Sequence, residues 1–193
     1  GLNASLDEVR RDKVERIDTN LESVLADSDV HFVITCLRND QSPDVCIQAL
    51  EAGKHVVAEK PIGPTSAEVQ RVVGVAEKRD LKLGVFYGRR YHPLVCQVKE
   101  IVEEGILGTL ISAELRMLTT QVRFREPNYW LFQKRYAGGG MLSWLGCHDI
   151  DTLRHVSGEE IVSVSEEVAT RNGEAIDVAD VAALSFKLAS GAL

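Results

Sequence analysis

The chain has 193 residues, with 22 Lys and Arg against 29 Asp and Glu, for a net charge of −7. That length fits one domain or two small ones, and 45% hydrophobic with 26% charged residues describes a folded chain rather than a disordered one. The acidic balance argues against nucleic acid or an anionic membrane as a partner, and no apolar run approaches the ~20 residues that span a bilayer.

The opening stretch, residues 1–16, has no apolar core and does not read as a secretory signal. Gly1 is not a start methionine, and only Ala192 and Leu193 follow the turn at Ala189-Ser190-Gly191. The chain therefore reads as a piece of a longer protein. Cys36, Cys46, Cys96 and Cys147 stand without CxxC spacing. They are read as reduced, mostly buried thiols of a cytoplasmic protein, with no metal site.

From residue 19 to 95, helix and strand alternate. Thr19-Asn20-Leu21-Glu22 fits a capping box with Thr19 as the cap. His31–Leu37 is an apolar run of strand length without polar alternation, as in a strand buried on both faces of a parallel sheet. Ser42-Pro43-Asp44 opens a helix with Ser42 as cap, and Cys46, Ala49 and Leu50 mark its inner face. Gly53 suits its left-handed end. His55–Ala58 is the next strand, ending at Glu59-Lys60-Pro61. Thr65-Ser66-Ala67-Glu68 is a second capping box, followed by Val69, Val72, Val73 and Ala76 at helical spacing. Leu83–Tyr87 is a third strand, and Pro93 opens a helix with a stripe of Leu94, Val98, Ile101 and Val102. This order implies right-handed βαβ units and a parallel sheet.

After Gly108 the pattern changes. Ile111, Ala113, Leu115 and Met117 alternate with polar residues, as in a strand with one wet face. A polar loop with Trp130 follows, then Gly138-Gly139-Gly140 and a helix to about Val156. Alternating strands begin at Val162 and run from Ala182 to Leu188, with a hairpin turn at Ala189-Ser190-Gly191. The prediction is a second, antiparallel α+β domain from residue 107 onward.

Ligands of open α/β sheets bind at the carboxyl ends of the strands. Three such ends are readable: residues 37–40, 59–61 and 87–91. Lys60, between a buried strand and a proline, is either held at a fixed point above the sheet or is a surface lysine in a turn. Trp144, His148 and Asp151 share a helical face at i, i+4 and i+7. His148 is either a proton-transfer group or a core histidine bonded to a backbone carbonyl. Arg89 and Arg90 either clamp an anion or form ion pairs. The three glycines either let backbone approach a ligand or form a flexible turn. No G-x-G-x-x-G dinucleotide fingerprint occurs.

Four motifs then point one way. Residues 52–61, AGKHVVAEKP, resemble the "aGKHVl-EKP" signature of the Gfo/Idh/MocA oxidoreductase family. Residues 86–93 resemble its "fnrRf-P" strand end, residues 105–110 its "G-iG-i" passage between domains, and Gly138 to Asp151 its "GGG…D-G-H-iD" helix. The resemblance implies an NAD(P)-binding Rossmann-type domain over residues 1–106, lacking its first βαβ segment. It implies a truncated C-terminal α/β domain over residues 107–193, of the kind that mediates substrate binding and oligomerisation. The fold class is thus α/β: an incomplete parallel sheet followed by the start of an antiparallel one.

The implied activity is hydride transfer between NAD or NADP and a sugar- or polyol-like alcohol or ketone. Lys60 and His148 would be catalytic. Asn39, Glu59, Lys60, Pro61 and Arg90 would lie at the cofactor, and Trp144 and Asp151 in the substrate pocket. The implied partners are a small sugar or polyol and a second copy of the full-length chain. Alternatives within the family are an NAD-dependent glycosidase and a non-catalytic nucleotide-binding or scaffold member. Two positions depart from its pattern. Trp144 stands where the family has an aspartate four residues before the histidine, and Ser42 lies near the place of a second family histidine.

Overall fold

The computed structural model describes residues 14, 16–120, 124–171 and 175–193. The reading of the amino terminus falls almost wholly on residues 1–13 and 15, outside the described residues, as are residues 121–123 and 172–174.

Helix α1 spans Leu21–Ala26. Its cap is Asn20 and not Thr19: the Asn20 side-chain oxygen accepts from the N–H groups of Glu22 and Ser23, at 2.9 and 3.3 Å. Those two donors lack helical partners, and a short Asn side chain reaches both. Next come β1 (Phe32–Thr35), α2 (Ser42–Glu51), β2 (His55–Glu59), α3 (Ser66–Arg79) and β3 (Leu83–Phe86). The strands are parallel, in the order β1-β2-β3. Ser42 lies inside the first turn of α2 and is not its cap. Its buried hydroxyl faces Thr35 and Cys46 instead. The α3 box does form, with the Thr65 hydroxyl accepting from the Glu68 N–H and donating to the Glu68 carboxylate.

Cys46, Ala49 and Leu50 of α2, Val72 and Ala76 of α3, and Val56 and Ala58 of β2 make one core. The expectation that β1 is buried on both faces is wrong. Phe32 and Ile34 are 57% and 61% exposed, and Phe86 of β3 is exposed on the same side. Two right-handed crossovers that advance in one direction across a sheet put both helices on one face. Among the described residues the other face is uncovered.

Helix α4 (Pro93–Glu103) is capped by the His92 imidazole and packs against α6. Leu94 and Val98 of its apolar stripe stay exposed. The strand expected at Ile111–Met117 is not formed. Among the described residues its only ladder-like bonds are Ala113 N–H to Leu193 O and Leu193 N–H to Ile111 O, so it runs beside a single residue. Helix α5 (Lys134–Ala137) precedes the triple glycine, a π-helical turn covers Leu142–Gly146, and α6 spans Cys147–Ser157. Strands β4 (Ile161–Ala169) and β5 (Val181–Leu188) form an antiparallel pair, and the predicted turn at residues 189–191 follows β5. The cysteines are free, but the expectation that most are buried fails: only Cys46 is, while Cys96 and Cys147 are half-buried and Cys36 is exposed. Among the described residues no helix is long and apolar enough to cross a membrane.

Candidate functional site

Parallel strands end on one edge, and the carboxyl ends of β1, β2 and β3 all meet the second half of the chain there. Asn39, beyond β1, is buried and donates its amide N–H to the Ala137 carbonyl at 3.0 Å. Lys60, one residue beyond β2 and followed by a cis peptide bond to Pro61, donates from Nζ to the Trp144 carbonyl at 2.8 Å. Glu59 accepts the Lys60 N–H at 3.3 Å. Beyond β3, the Tyr87 ring meets the His148 ring edge-on, with centroids 6.1 Å apart. Arg89 donates to Asp149 at 2.5 Å. Arg90 grips Asp151 with both Nε and Nη2, at 2.8 and 2.5 Å.

At the triple glycine the close approaches seen are to the chain's own backbone. Gly138 has φ +80°, and a Cβ there would run into the Pro64 carbonyl oxygen; one on Gly140 would run into the Ala179 carbonyl oxygen. Backbone approaches backbone at both points, which only glycine allows. The shared face of Trp144, His148 and Asp151 is altered by the π-helical turn, which inserts an extra residue into the winding. The Trp144 indole turns to Leu131, Phe132, Ile176 and Val178 and stacks on the Arg125 guanidinium, which also lies over Tyr129. The ring beside His148 is Tyr87. The Asp151 carboxylate, 6% exposed, has both oxygens engaged by Arg90.

His148 Nδ1 is buried and has no hydrogen-bond partner. It is thus not a core histidine bonded through Nδ1 to a backbone carbonyl. Burial, then the charges of Lys60 and Arg89, push its pKa down to about 4, against the opposing pull of Asp149 and Asp151. Burial also raises the Tyr87 phenol and the Cys147 thiol. The edge therefore holds a neutral imidazole beside a lysine cation. A neutral imidazole can accept a proton, and a fixed ammonium can stabilise charge developing on oxygen. A larger groove of about 910 Å³ lies between residues 113–120, α6 and β5, but neither Lys60 nor His148 lines it. Sequence reasoning missed Tyr87 and the carboxylate partners of the arginines. The one available signal was the position of Tyr87 at the end of a strand.

This chain matches the family profile described as "Oxidoreductase family, NAD-binding Rossmann fold" over residues 3–87, and that of the GFO/IDH/MocA C-terminal domain over residues 95–193. The chain belongs to the GFO/IDH/MocA oxidoreductase family. It is 32% identical over 153 residues to levoglucosan dehydrogenase of Pseudarthrobacter phenanthrenivorans, covering 78% of this chain and 39% of that protein. It is 28% identical over 188 residues to myo-inositol 2-dehydrogenase of Thermotoga maritima, covering 93% of this chain and 53% of the relative. Among solved structures, levoglucosan dehydrogenase in complex with NADH and levoglucosan superimposes with a TM-score of 0.78 at 29% identity, over 91% of this chain and 49% of that one. The chain spans about half, or less, of the length of these relatives.

The residues at the strand edge fit the reactive end of a nicotinamide cofactor. Asn39, Lys60 and the unpartnered His148 Nδ1 gather at the carboxyl ends of parallel strands, where such ligands bind. The glycine fingerprint that would hold the pyrophosphate is not in this sequence.

Proposed function

We propose that this chain carries the proton-transfer end of an NAD(P)-dependent oxidoreductase acting on a sugar or polyol. The observation that supports it best is the convergence of Lys60 and α6 at the strand ends, with His148 Nδ1 buried and unpartnered. Asn39, Glu59, Lys60 and Pro61 would line the cofactor's side, while Arg90, whose fork is taken up by Asp151, would not; NAD or NADP, when bound, supplies the hydride acceptor or donor. In the oxidising direction His148 takes the proton of the substrate hydroxyl. Its lowered pKa keeps it neutral at pH 7 and ready to do so. Lys60 polarises the same oxygen, holding it while the carbon gives up hydride. In the reducing direction His148 returns the proton to that oxygen as the carbon takes up hydride, and Lys60 polarises the oxygen as before.

The other parts of this reading are a cytoplasmic protein, homo-oligomeric at full length, with a domain boundary at 106/107. Free cysteines support the first and the family likeness the second; the boundary rests on the change there from alternating helix and parallel strand to antiparallel pairing. The test is NADH or NADPH formation by the full-length protein over a panel of sugars and polyols. Turnover is expected with at least one, and its loss in His148→Asn and Lys60→Met. No turnover together with no binding of NADH would favour the scaffold reading.

A further inference from the structure

His148 does not owe its place to a hydrogen bond on Nδ1, so something else must fix the helix that carries it. Residues 149 and 151 of an α-helix lie about 100° to one side of residue 148 and about 60° to the other. Both are aspartates, and each is held by one of two consecutive arginines in the 3₁₀ turn Gly88–Tyr91. We propose that Arg89 and Arg90 are positioning residues, which grip α6 on either side of His148 and so hold the imidazole at the strand ends. The inference rests on the reading of His148 as the proton-transfer group.

The two grips differ in kind. Asp151 is buried, and the Arg90 fork binds both its oxygens, which fixes direction as well as distance. The Arg90 carbonyl is itself held by the Cys96 thiol of α4, the helix that packs on α6. Asp149 and Arg89 are half-exposed and joined by one bond. A purely structural pair of that kind contributes little, so its use must lie elsewhere. Around His148 stand Lys60 from the end of β2, Tyr87 from the end of β3, Arg89 and Arg90 from the turn, and Cys147, Asp149 and Asp151 from its own helix. On α4, Lys99 and Glu103 pair with each other and Glu100 is exposed. Arg89 and Asp149 therefore act on the imidazolium with opposite sign.

The experiment follows the His148 imidazole by NMR titration in the full-length protein, without substrate, in Arg89→Met, Asp149→Asn and the double variant. The midpoint should rise in Arg89→Met and fall in Asp149→Asn, each by roughly half a unit; in the double variant, where the charges cancel but the grip is gone, it should return toward wild type while kcat stays below it. The acid-side inflection of kcat/KM should move with it. Arg90→Lys keeps the charge and loses the fork; kcat should fall about tenfold, with the titration near wild type and KM little changed. Midpoints that stay fixed or move in the same direction, unfolding of Arg89→Met, or wild-type kcat in Arg90→Lys would overturn the proposal. The NMR readout needs no turnover, so it stands apart from the oxidoreductase reading. A protein without activity but with opposed shifts keeps the grip and loses the enzyme.

Discussion

The two halves of the chain are held together differently. Before Gly108, two crossover helices lie on a three-stranded sheet and bury one continuous cluster that includes Leu25, Leu50, Val56, Ile62 and Val72. After it, the buried residues fall into small groups: Phe132 with Val178, and Leu153 with Leu188 and Ala192. Val162, Val164, Val168 and Val181 of the antiparallel pair are exposed. The first half thus makes its core from its own neighbours in sequence. The second half takes its order largely from ties to the first: Asn39 to Ala137, Pro64 against Gly138, Lys60 to Trp144, and Arg89 and Arg90 to Asp149 and Asp151. The candidate site lies where those ties are made.

The sharpest test of that division is Lys60→Met in the full-length protein. The change removes a charge at the junction and leaves the core alone. Loss of one charge-assisted contact to developing charge is worth several kcal/mol in a water-poor site, so kcat should fall about a thousandfold. The bond from Nζ to the Trp144 carbonyl goes with it, so stability should fall by about 1 kcal/mol; a much larger drop would make Lys60 chiefly a structural tie.

Core deletions should then separate the halves. Leu50→Ala empties a fully buried position and should cost about 3–4 kcal/mol in urea unfolding. Leu153→Ala, in a group of three at the edge of the molecule, should cost about 2 kcal/mol or less. Equal losses would mean that the second core is as well packed as the first.

Glycine substitutions probe the tie itself. Gly138 and Gly158 both have positive φ, but only Gly138 has backbone in the way of a Cβ. Gly158→Ala should cost about 1–2 kcal/mol from φ alone, and Gly138→Ala clearly more, with loss of the Pro64 approach. Matching costs would show that the turn gives way freely.

The smallest effect is in pH. The folded state holds His148 near pKa 4, while an unfolded histidine titrates near 6.5. The unfolded chain therefore binds the proton first. The stability tied to the neutral ring is complete above about pH 6.5 and is lost as pH falls toward 4. With a discount for its half-exposed site, this amounts to about 1 kcal/mol. Urea midpoints at pH 7 and pH 5 should differ less in His148→Asn than in wild type.

Much of the first half was legible because its signals are local. Val69, Val72 and Ala76 repeat at helical spacing, Thr65 precedes Glu68 by a capping interval, and Cys46, Ala49 and Leu50 fall on one face. Caps slipped by one residue at both: Asn20, next to Thr19, takes the N–H groups of α1, and α2 starts from Gln41 with no capping side-chain bond, so that Ser42 falls inside the first turn. The site was legible as a set of strand ends and a histidine helix. Its detail was not. Nothing local marks the π-helical turn that carries Trp144, nor pairs Arg90 with a carboxylate 61 residues on. The expected strand at Ile111–Met117 has the right alternation, but a strand needs a ladder, and Leu193 alone supplies two bonds.

The ties between the halves leave from the ends of three adjacent strands, so they stand side by side in one row. Mechanically a row of pins is a hinge line: sliding and twisting are blocked, and only rocking about the row is left. The packing of α4 on α6 lies off that line and props it. Among the described residues the junction at the strand ends is thus braced in two directions, along the row and beside it, and Tyr87 and the buried grip of Arg90 on Asp151 stand within that bracing next to the imidazole.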